Sequence, residues 1–488
     1  MIDEKIAYQA LKSHDPRFDG MFFVGVSSTG IYCRPICPAK TPLYKNCNFF
    51  ATAAAAEKAM FRPCLRCRPE LAPGNAPVDK AQQIAYLMLQ RLDENVTTDE
   101  EGISMEQIAA EFAMSSRQLR RIVQQEYGVS PIELLQTRRL LLAKQLLTES
   151  DLPVIDIAFA SGFSSLRRFN DAFRHHYRMP PTRLRKEAST AKVAASSAGK
   201  SSRLQLTYRP PYDWHAMLDF LRSRVIQGVE WVTDDAYLRT VAIGSHQGWI
   251  KVSHVADRQA LTVEFAHELA PVLPALLGRL RHLFDLTARP DLIADHLGGD
   301  RRLKKSLMRH PGLRVPGAFD LFEMILRAIL GQQITVKAAT TLAGRFATSH
   351  GKPIETPYAE LNRLTPQAEA VARFTVNDIA SLGIVSARAS CIIMLAHAIK
   401  SGALRLEAGA LADEVIQQLV ALPGIGPWTA NYIAMRALRW PDAFPKEDIV
   451  VRKSLGGVSA RAAEEISQRW RPWRSYAVMH LWKSSAEQ

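Results

Sequence analysis

The stretch from Leu422 to Asp448 constrains this chain more than any other. It reads LPGIGPWTANYIAMRAL, then a short connection, then FPKED. Leu-Pro-Gly-Ile-Gly is a tight turn in which Gly424 and Gly426 take φ > 0 or admit close backbone approach. Pro427 suits the first position of the helix that follows, where its missing N–H costs nothing. The open amides of such a helix start, with Thr429 in its first turn, form a seat for a phosphate. Beyond the turn, Ala430, Ile433, Ala434, Ala437 and Leu438 recur at helical spacing and predict a core stripe. Trp428 and Tyr432 fall on the opposite side, with Met435. The carboxylate of Asp448 closes the stretch. A phosphate clamp, an aromatic pair and an acid in so short a span point to chemistry on a base extruded from DNA.

At 488 residues the chain has room for three or more domains, and 47% hydrophobic residues supply their cores. The net charge of +14 favours a polyanionic partner, without separating DNA from RNA or an anionic surface. No run approaches the roughly 18 apolar residues of a membrane span. The opening MIDEKIAYQALKSHD is polar and predicts no signal peptide, hence a cytoplasmic, nucleoid-associated protein.

Six cysteines in so long a chain are no disulfide framework. Four of them form a C-x3-C…C-x2-C pattern: Cys33, Cys37, Cys64 and Cys67. Two close pairs of thiolates fit a tetrahedral Zn²⁺ site; buried free thiols or a redox pair are the alternatives. Arg34, Arg62, Arg66 and Arg68 beside them form either a solvated rim or a phosphate-holding surface. Cys47 and Cys391 read as packing. The segments GIYCRPICPAK and FRPCLRC resemble the N-terminal zinc domain of the Ada adaptive-response family. The resemblance implies that Cys33 accepts a methyl group from a DNA methylphosphotriester, with Cys37, Cys64 and Cys67 as the other ligands. Methylation would take the centre from two negative charges to one, and the lower repulsion from phosphates would strengthen DNA binding.

An internal repeat follows. IAAEFAMSSRQLRR (108–121) returns as IAFASGFSSLRRF (157–169), each copy reading helix, turn, helix. Ser115 and Gln118 form a capping-box pattern at the start of the first recognition helix. Gly162 and Phe163 supply the second turn, and a helix from Pro131 to about Leu147 joins the halves. Two such units on a stiff connector suit successive major grooves. Ser116, Arg117, Gln118 and Arg121, then Ser165, Leu166, Arg167 and Arg168, are the residues expected to face DNA. Arg138 and Arg139 read as structural or phosphate contacts, and His175 and His176 as surface or cap residues. The repeat resembles the DNA-binding domain of AraC-family activators, which also follows the zinc domain in Ada. RNA polymerase is the protein partner this implies.

Residues 188–203 are rich in Ala, Ser and Lys without apolar periodicity and read as a flexible linker. From Leu204 to about Thr287, short alternating runs (LQLTY, AYLRTVAI, GWIKVSHV, LTVEFA) predict antiparallel strands with two helices. The remainder is helical. Trp470, Trp473, Tyr476 and Trp482 near the end are either core or a wall on which a base stacks. The expected organisation is multidomain, mainly α with α+β. It comprises a zinc-binding α/β domain (1–77), a double helix-turn-helix (80–187), the linker (188–203), a small antiparallel-sheet α+β domain (204–287) and an all-α helix–hairpin–helix domain (288–488).

Residues 204–488 resemble the AlkA-type 3-methyladenine DNA glycosylases through the sheet module, ILGQQ, LPGIGPWTANY, FPKED and PWRSYAVMHLW. The resemblance implies that Asp448 is the catalytic carboxylate and that Trp428, Tyr432 and Trp482 form the base pocket. It implies a monovalent cation on the hairpin carbonyls of Val420, Leu422 and Ile425, shared with a DNA phosphate. It departs at Gln333, where the best-known members place an apolar wedge. Bifunctional relatives carry a lysine nucleophile where this chain has Trp428. Endonuclease III-like relatives carry four C-terminal cysteines, whereas here none follows Cys391. A monofunctional hydrolase acting on alkylated purines in double-stranded DNA is the expectation, and a monomer. The competing readings are a regulator whose glycosylase-like part only binds DNA, and a zinc-dependent transcription factor without methyl transfer. The Pro-Cys-His-Arg motif of Ada's O6-methylguanine domain has no counterpart, since the only Pro-Cys is Pro63–Cys64.

Overall fold

In the computed structural model, which describes residues 3–73, 88, 105–111, 114–191, 201–404 and 412–487, the N-terminal unit is built on four short strands. These are β1 (Phe23–Val26), β2 (Ile31–Cys33), β3 (Cys47–Phe50) and β4 (Arg62–Pro63). Their order is β3-β1-β2-β4, antiparallel except where β2 and β4 run parallel. Helix Glu4–Lys12, capped by Asp3, lays Ala7, Ala10 and Leu11 against Phe22 and Val24. Helix Ala53–Lys58 covers Phe23 and Tyr32. The expected boundary at 77–80 lies outside the described residues.

The repeat folds as two helix-turn-helix units. The first pairs Met105–Glu111 with Ser116–Tyr127, and the second pairs Val154–Ala160 with Leu166–Tyr177. Ile108, Leu119 and Val123 in one, and Ile157, Phe169 and Phe173 in the other, are fully buried, as their matched positions require. Both halves of the Ser115–Gln118 capping box are present. Gly162 turns the second unit at φ +82°, where only glycine is unstrained. Between the units the connector helix runs Pro131–Glu149, with its own capping box at Ser130 and Glu133.

The linker expected over 188–203 is shorter than that. Helix Pro181–Ala191 carries into it, and strand β5 (Ser201–Thr207) begins before its end. Ser201, Ser202 and Arg203 pair with Ala266, Phe265 and Glu264, and this ladder outweighs their weak local strand preference. Residues 192–200 lie outside the described part. Strand β5 joins β6 (Glu230–Val232), β7 (Ala236–Ile243), β8 (His246–Val255) and β9 (Ala260–Ala266) in an antiparallel sheet of order β5-β9-β8-β7-β6. Helices Trp214–Arg222 and Leu273–Leu283 supply much of the packing on it.

The remaining helices form two packed groups. Leu321–Leu330, Val336–His350, Ser386–Lys400 and Ala412–Ala421 share one core with the inner face of the hairpin helix Pro427–Arg436. The C-terminal helix Arg474–Ala486 packs with Pro290–Leu297, Arg301–Arg309 and the short helix Ile449–Ser454. The hairpin stripe of Ala430, Ile433, Ala434 and Ala437 is buried, with Leu438 at its edge. Met435, expected beside Trp428 and Tyr432, is instead fully buried in the second group, because the helix is sandwiched between the two cores. No helix among the described residues is long and apolar enough to cross a membrane.

Candidate active site and metal centre

The parallel register of β2 on β4 assembles the four cysteines. The Cys64 amide donates to the Tyr32 carbonyl at 3.0 Å, which sets Cys64 beside Cys33. The four Sγ atoms lie within 4.8 Å of one another, and none is in a disulfide. Backbone amides of Arg34 and Arg66 donate to Cys67 Sγ and Cys64 Sγ, each at 3.3 Å, as suits thiolates. Four sulfur donors at this spacing fit a closed tetrahedral Zn²⁺ site. Cys33 is half-buried, while Cys37, Cys64 and Cys67 are buried. The arginines divide. Arg34 is buried against Asp19, and Arg68 pairs with Glu70 and Glu149, so neither is a phosphate contact. Arg62 and Arg66 stay exposed.

On the recognition helices Arg117, Arg121, Arg167 and Arg168 are exposed. Gln118 is exposed too, but its Oε1 accepts from the Ser115 amide at 3.0 Å, leaving only its Nε2 free of the cap. Ser165 caps its helix and Leu166 packs against the core, so neither reads DNA freely. Arg138 and Arg139 are half-buried on the connector. His175 is exposed, whereas His176 pairs with Glu57 of the zinc domain at 2.9 Å.

The hairpin places the second site. Gly424 sits at φ +91° with its Cα over Cys391, where a Cβ would come within 3.1 Å of the Cys391 Cβ. Gly426 is the N-cap at φ −87° and leaves open space where a Cβ would stand. The first helical bond is from the Ala430 amide to the Gly426 carbonyl, so the Trp428 and Thr429 amides precede it at the helix start. The Thr429 side chain is buried and accepts from Gln332 Nε2 at 3.2 Å. Gln332 also donates to the Gly424 carbonyl at 2.8 Å, and its own carbonyl accepts from Arg388. That clamp fixes the neighbouring turn, where Gln333 is exposed at φ +57°.

Asp448 lies at the wall of a cleft of about 1460 Å³ between the sheet domain and the helical domain. It is 8% exposed and caps helix Ile449–Ser454, its Oδ1 accepting from the Val451 amide at 2.9 Å. Oδ1 also accepts from Trp482 Nε1 at 3.1 Å, and Oδ2 from Trp428 Nε1 at 3.0 Å. Three donors therefore fix the carboxylate, and Oδ2 keeps a lone pair for the cleft. Capping and a place in the cleft are one arrangement here, not alternatives. Trp428 and Tyr432 stack face to face, with centroids 5.2 Å apart and planes 6° apart. At that separation the rings are in contact, which leaves no room for a third ring between them. Trp482 stands 6.2 Å from Tyr432, tilted by 51°. Trp470, Trp473 and Tyr476 are core residues; only Trp482 of the terminal aromatics reaches the cleft.

Local sequence did not reveal the electrostatics of Tyr432. Burial pushes its phenol up, but the guanidinium groups of Arg436, Arg224 and Arg327 outweigh burial and bring it down to about 8. Arg436 donates to the phenol oxygen at 2.8 Å and is anchored on the Gly317 carbonyl at 3.0 Å. Arg436 was within reach of sequence reasoning, four positions after Tyr432 on one helix. Arg224 and Arg327 arrive from distant segments and carry no local signal.

Comparison with known proteins agrees with this layout. Models of the metal binding domain of Ada, a helix-turn-helix domain, the AlkA N-terminal domain and the HhH-GPD superfamily of base excision DNA repair proteins match residues 6–70, 108–187, 203–320 and 326–474. A probable bifunctional transcriptional activator/DNA repair enzyme AlkA of Mycobacterium tuberculosis is 38% identical over 486 residues, covering 98% of this chain and 96% of the relative. The DNA-3-methyladenine glycosylase 2 of Escherichia coli is 35% identical over 277 residues, 57% of this chain and 95% of that protein. The structure of a 3-methyladenine DNA-glycosylase from Archaeoglobus fulgidus aligns with 58% of this chain and 98% of its own, at 21% identity and a TM-score of 0.52, a likeness of fold. The chain belongs to the family of bifunctional transcriptional activator/DNA repair enzymes that join an Ada-type zinc domain and helix-turn-helix to an AlkA-type glycosylase.

Proposed function

We propose that this protein meets alkylation damage with both ends of one chain. The C-terminal half hydrolyses the N-glycosidic bond of alkylated purines in double-stranded DNA, of the 3-methyladenine and 7-methylguanine type. The observation that carries this reading is the placement of Asp448 in the cleft between two indole N–H donors, beside an aromatic wall. An N3- or N7-alkylated purine is cationic and leaves as a neutral base, so it needs little protonation. Stacking and cation–π attraction at the outer face of Trp428, Tyr432 or Trp482 would favour such a base by roughly 0.5–2 kcal/mol. As the bond from C1′ to the base nitrogen breaks, its electron pair goes to the base, and positive charge on the sugar faces Asp448 Oδ2. Water adds to C1′ and gives up its proton to the carboxylate, leaving an abasic site. With Trp428 where bifunctional relatives carry the lysine nucleophile, no amine stands at that position to form a Schiff base, so strand cleavage does not follow.

The backbone amides of Gly424, Gly426 and Thr429 would hold a backbone phosphate, with a monovalent cation on the carbonyls of Val420, Leu422 and Ile425. Gln333, projecting from a fixed turn, fills the gap the base leaves by stacking and hydrogen bonding. The N-terminal half accepts methyl from a DNA methylphosphotriester. Zinc bound by Cys33, Cys37, Cys64 and Cys67 would keep Cys33 as a thiolate. Its sulfur attacks the methyl carbon, the carbon–oxygen bond breaks, and the phosphodiester leaves with that electron pair. The thioether does not return the methyl, so each chain reacts once. Arg117, Gln118, Arg121, Arg167 and Arg168 then hold promoter DNA, from which the protein acts as an activator on RNA polymerase, working as a monomer. The test is duplex DNA carrying N3- and N7-methylpurines. Free base should appear, with strand breaks only after alkaline treatment; breaks without alkali, or no free base, would refute the reading.

A further inference from the structure

The regulator half and the glycosylase half meet at the open edge of the five-stranded sheet. Strand β5 is that edge. The Gln205 amide donates to Glu149 Oε2 at 3.0 Å, and its carbonyl accepts from Gln145 Nε2 at 2.8 Å, both from the connector helix. An unpaired edge is thereby satisfied within the chain. Two positions on, the Thr207 hydroxyl donates to the Leu71 carbonyl of the zinc domain. Arg209 is buried and spans the same boundary. Its Nη2 donates to the Asp19 carbonyl at 2.9 Å and the Pro73 carbonyl at 3.4 Å, while its Nη1 donates to the Thr287 carbonyl at 3.4 Å.

On the regulator side of this junction, charges hold the zinc domain on the connector helix. Glu149 pairs with Arg68 at 2.7 Å, Arg68 with Glu70 at 3.0 Å, and Glu70 with the buried Lys144 at 2.5 Å. Lys144 also donates to the carbonyl of Cys64 at 3.1 Å, and Arg34, paired with Asp19, donates to that of Cys67 at 3.1 Å. An apolar contact completes it. Helix Val154–Ala160 packs on the turn His267–Val272, and Ile157 and Ala158 share one core with Leu269 and Ala270. Breaking one partner out of a buried ionic set leaves the other charge unpaired, so this set keeps the zinc domain seated on the connector helix whose Glu149 and Gln145 hold β5.

We propose that the two halves are docked as one body through this junction, with Arg209 as its pin, and that the junction depends on the folded four-cysteine centre. The partner of the β5 edge is thus the regulator half of the same chain. The docking ties the part that senses methylation to the part that excises bases, independently of the linker.

The test uses the full zinc-loaded chain with a protease site introduced between Ala191 and Ser201. After cleavage the two fragments should co-elute in gel filtration as a single complex of the intact mass. Fragments that separate would overturn the docking, and elution at twice that mass would show exchange between copies and overturn it too. Arg209→Ala combined with Glu149→Ala should release the fragments. Removing zinc from the cleaved wild-type complex with a chelator should also release them; continued co-elution would refute dependence on the metal centre. Should the double variant fail to fold, hydrogen exchange in the uncut wild-type chain decides. The Gln205 amide should exchange slowly, and exchange as fast as that of a solvent-facing edge amide would overturn the proposal.

Discussion

Trp482→Phe isolates one hydrogen bond in the candidate active site. The indole N–H of Trp482 reaches Asp448 Oδ1 at 3.1 Å, and the ring stands 6.2 Å from Tyr432. Phenylalanine keeps an aromatic surface against Tyr432 and removes the donor. Asp448 retains the Val451 amide and the Trp428 indole, at 2.9 and 3.0 Å, so the helix cap survives and the fold should not suffer. A hydrogen bond to a charged group contributes about 1.5–3 kcal/mol. If the bond serves to aim the carboxylate at the sugar, its loss falls on the chemical step and slows it by roughly 10- to 150-fold. Single-turnover release of 3-methyladenine from duplex DNA measures that step, and a binding titration with the same duplex measures affinity separately. The rate constant should fall in this range while the dissociation constant changes little. A rate within twofold of wild type, or a loss confined to affinity, would refute the role given to Trp482.

Gly424→Ala should destabilise the protein by about 1–3 kcal/mol, the cost of holding a side chain in the left-handed region. At φ +91°, with Cys391 Cβ 3.1 Å from the added methyl, the hairpin must shift, and affinity for duplex DNA should fall with the melting temperature; an unchanged melting curve contradicts this. Cys33→Ser should abolish methyl acceptance from methylphosphotriester DNA, read by mass spectrometry, and leave base excision intact. Methyl found on Cys37 in the wild type would show the acceptor to be misassigned. Tyr432 gives a pH signature: its phenol, ordinarily near 10.0, is held at about 8 in the folded protein. A group whose acidity rises on folding adds stability that is full above its unfolded value and lost as pH falls through its folded one. Raising the pH from about 7 to 9 should therefore ionise one tyrosine, visible as the tyrosinate ultraviolet band and absent in Tyr432→Phe. A wild-type protein with no tyrosine ionising below about pH 9 would contradict the arginine cluster around it.

Much of this organisation is legible in the sequence where function and backbone share one short stretch. The Leu422–Asp448 hairpin, the four cysteines and the doubled helix-turn-helix each carry their own turn chemistry and spacing. The terminal aromatics were not separable by residue type, because Trp473, Tyr476 and Trp482 suit a packed core as well as a wall on which a base stacks. Only the packing of the C-terminal helix against Pro290–Leu297 and Arg301–Arg309 turns Trp482 alone to the site. Met435 differs for a related reason: a helix buried on two sides keeps only a narrow open face, which Trp428 and Tyr432 occupy while Met435 turns into the second core. Arg34 and Arg68 sit next to zinc ligands in sequence, yet their carboxylate partners Asp19 and Glu149 come from other segments, and these decide that both are structural. The docking of the two halves rests on pairs as distant as Asp19 and Arg209, beyond the reach of any local pattern.

The central claim is that Asp448 performs the excision. Asp448→Asn keeps the size of the side chain and an acceptor for the Val451 amide, and removes the negative charge that faces the sugar. On duplex DNA carrying 3-methyladenine or 7-methylguanine, abasic-site formation by the variant should fall by roughly 100-fold or more, while its affinity for the same duplex is retained. Abasic sites formed at the wild-type rate by Asp448→Asn would contradict the account.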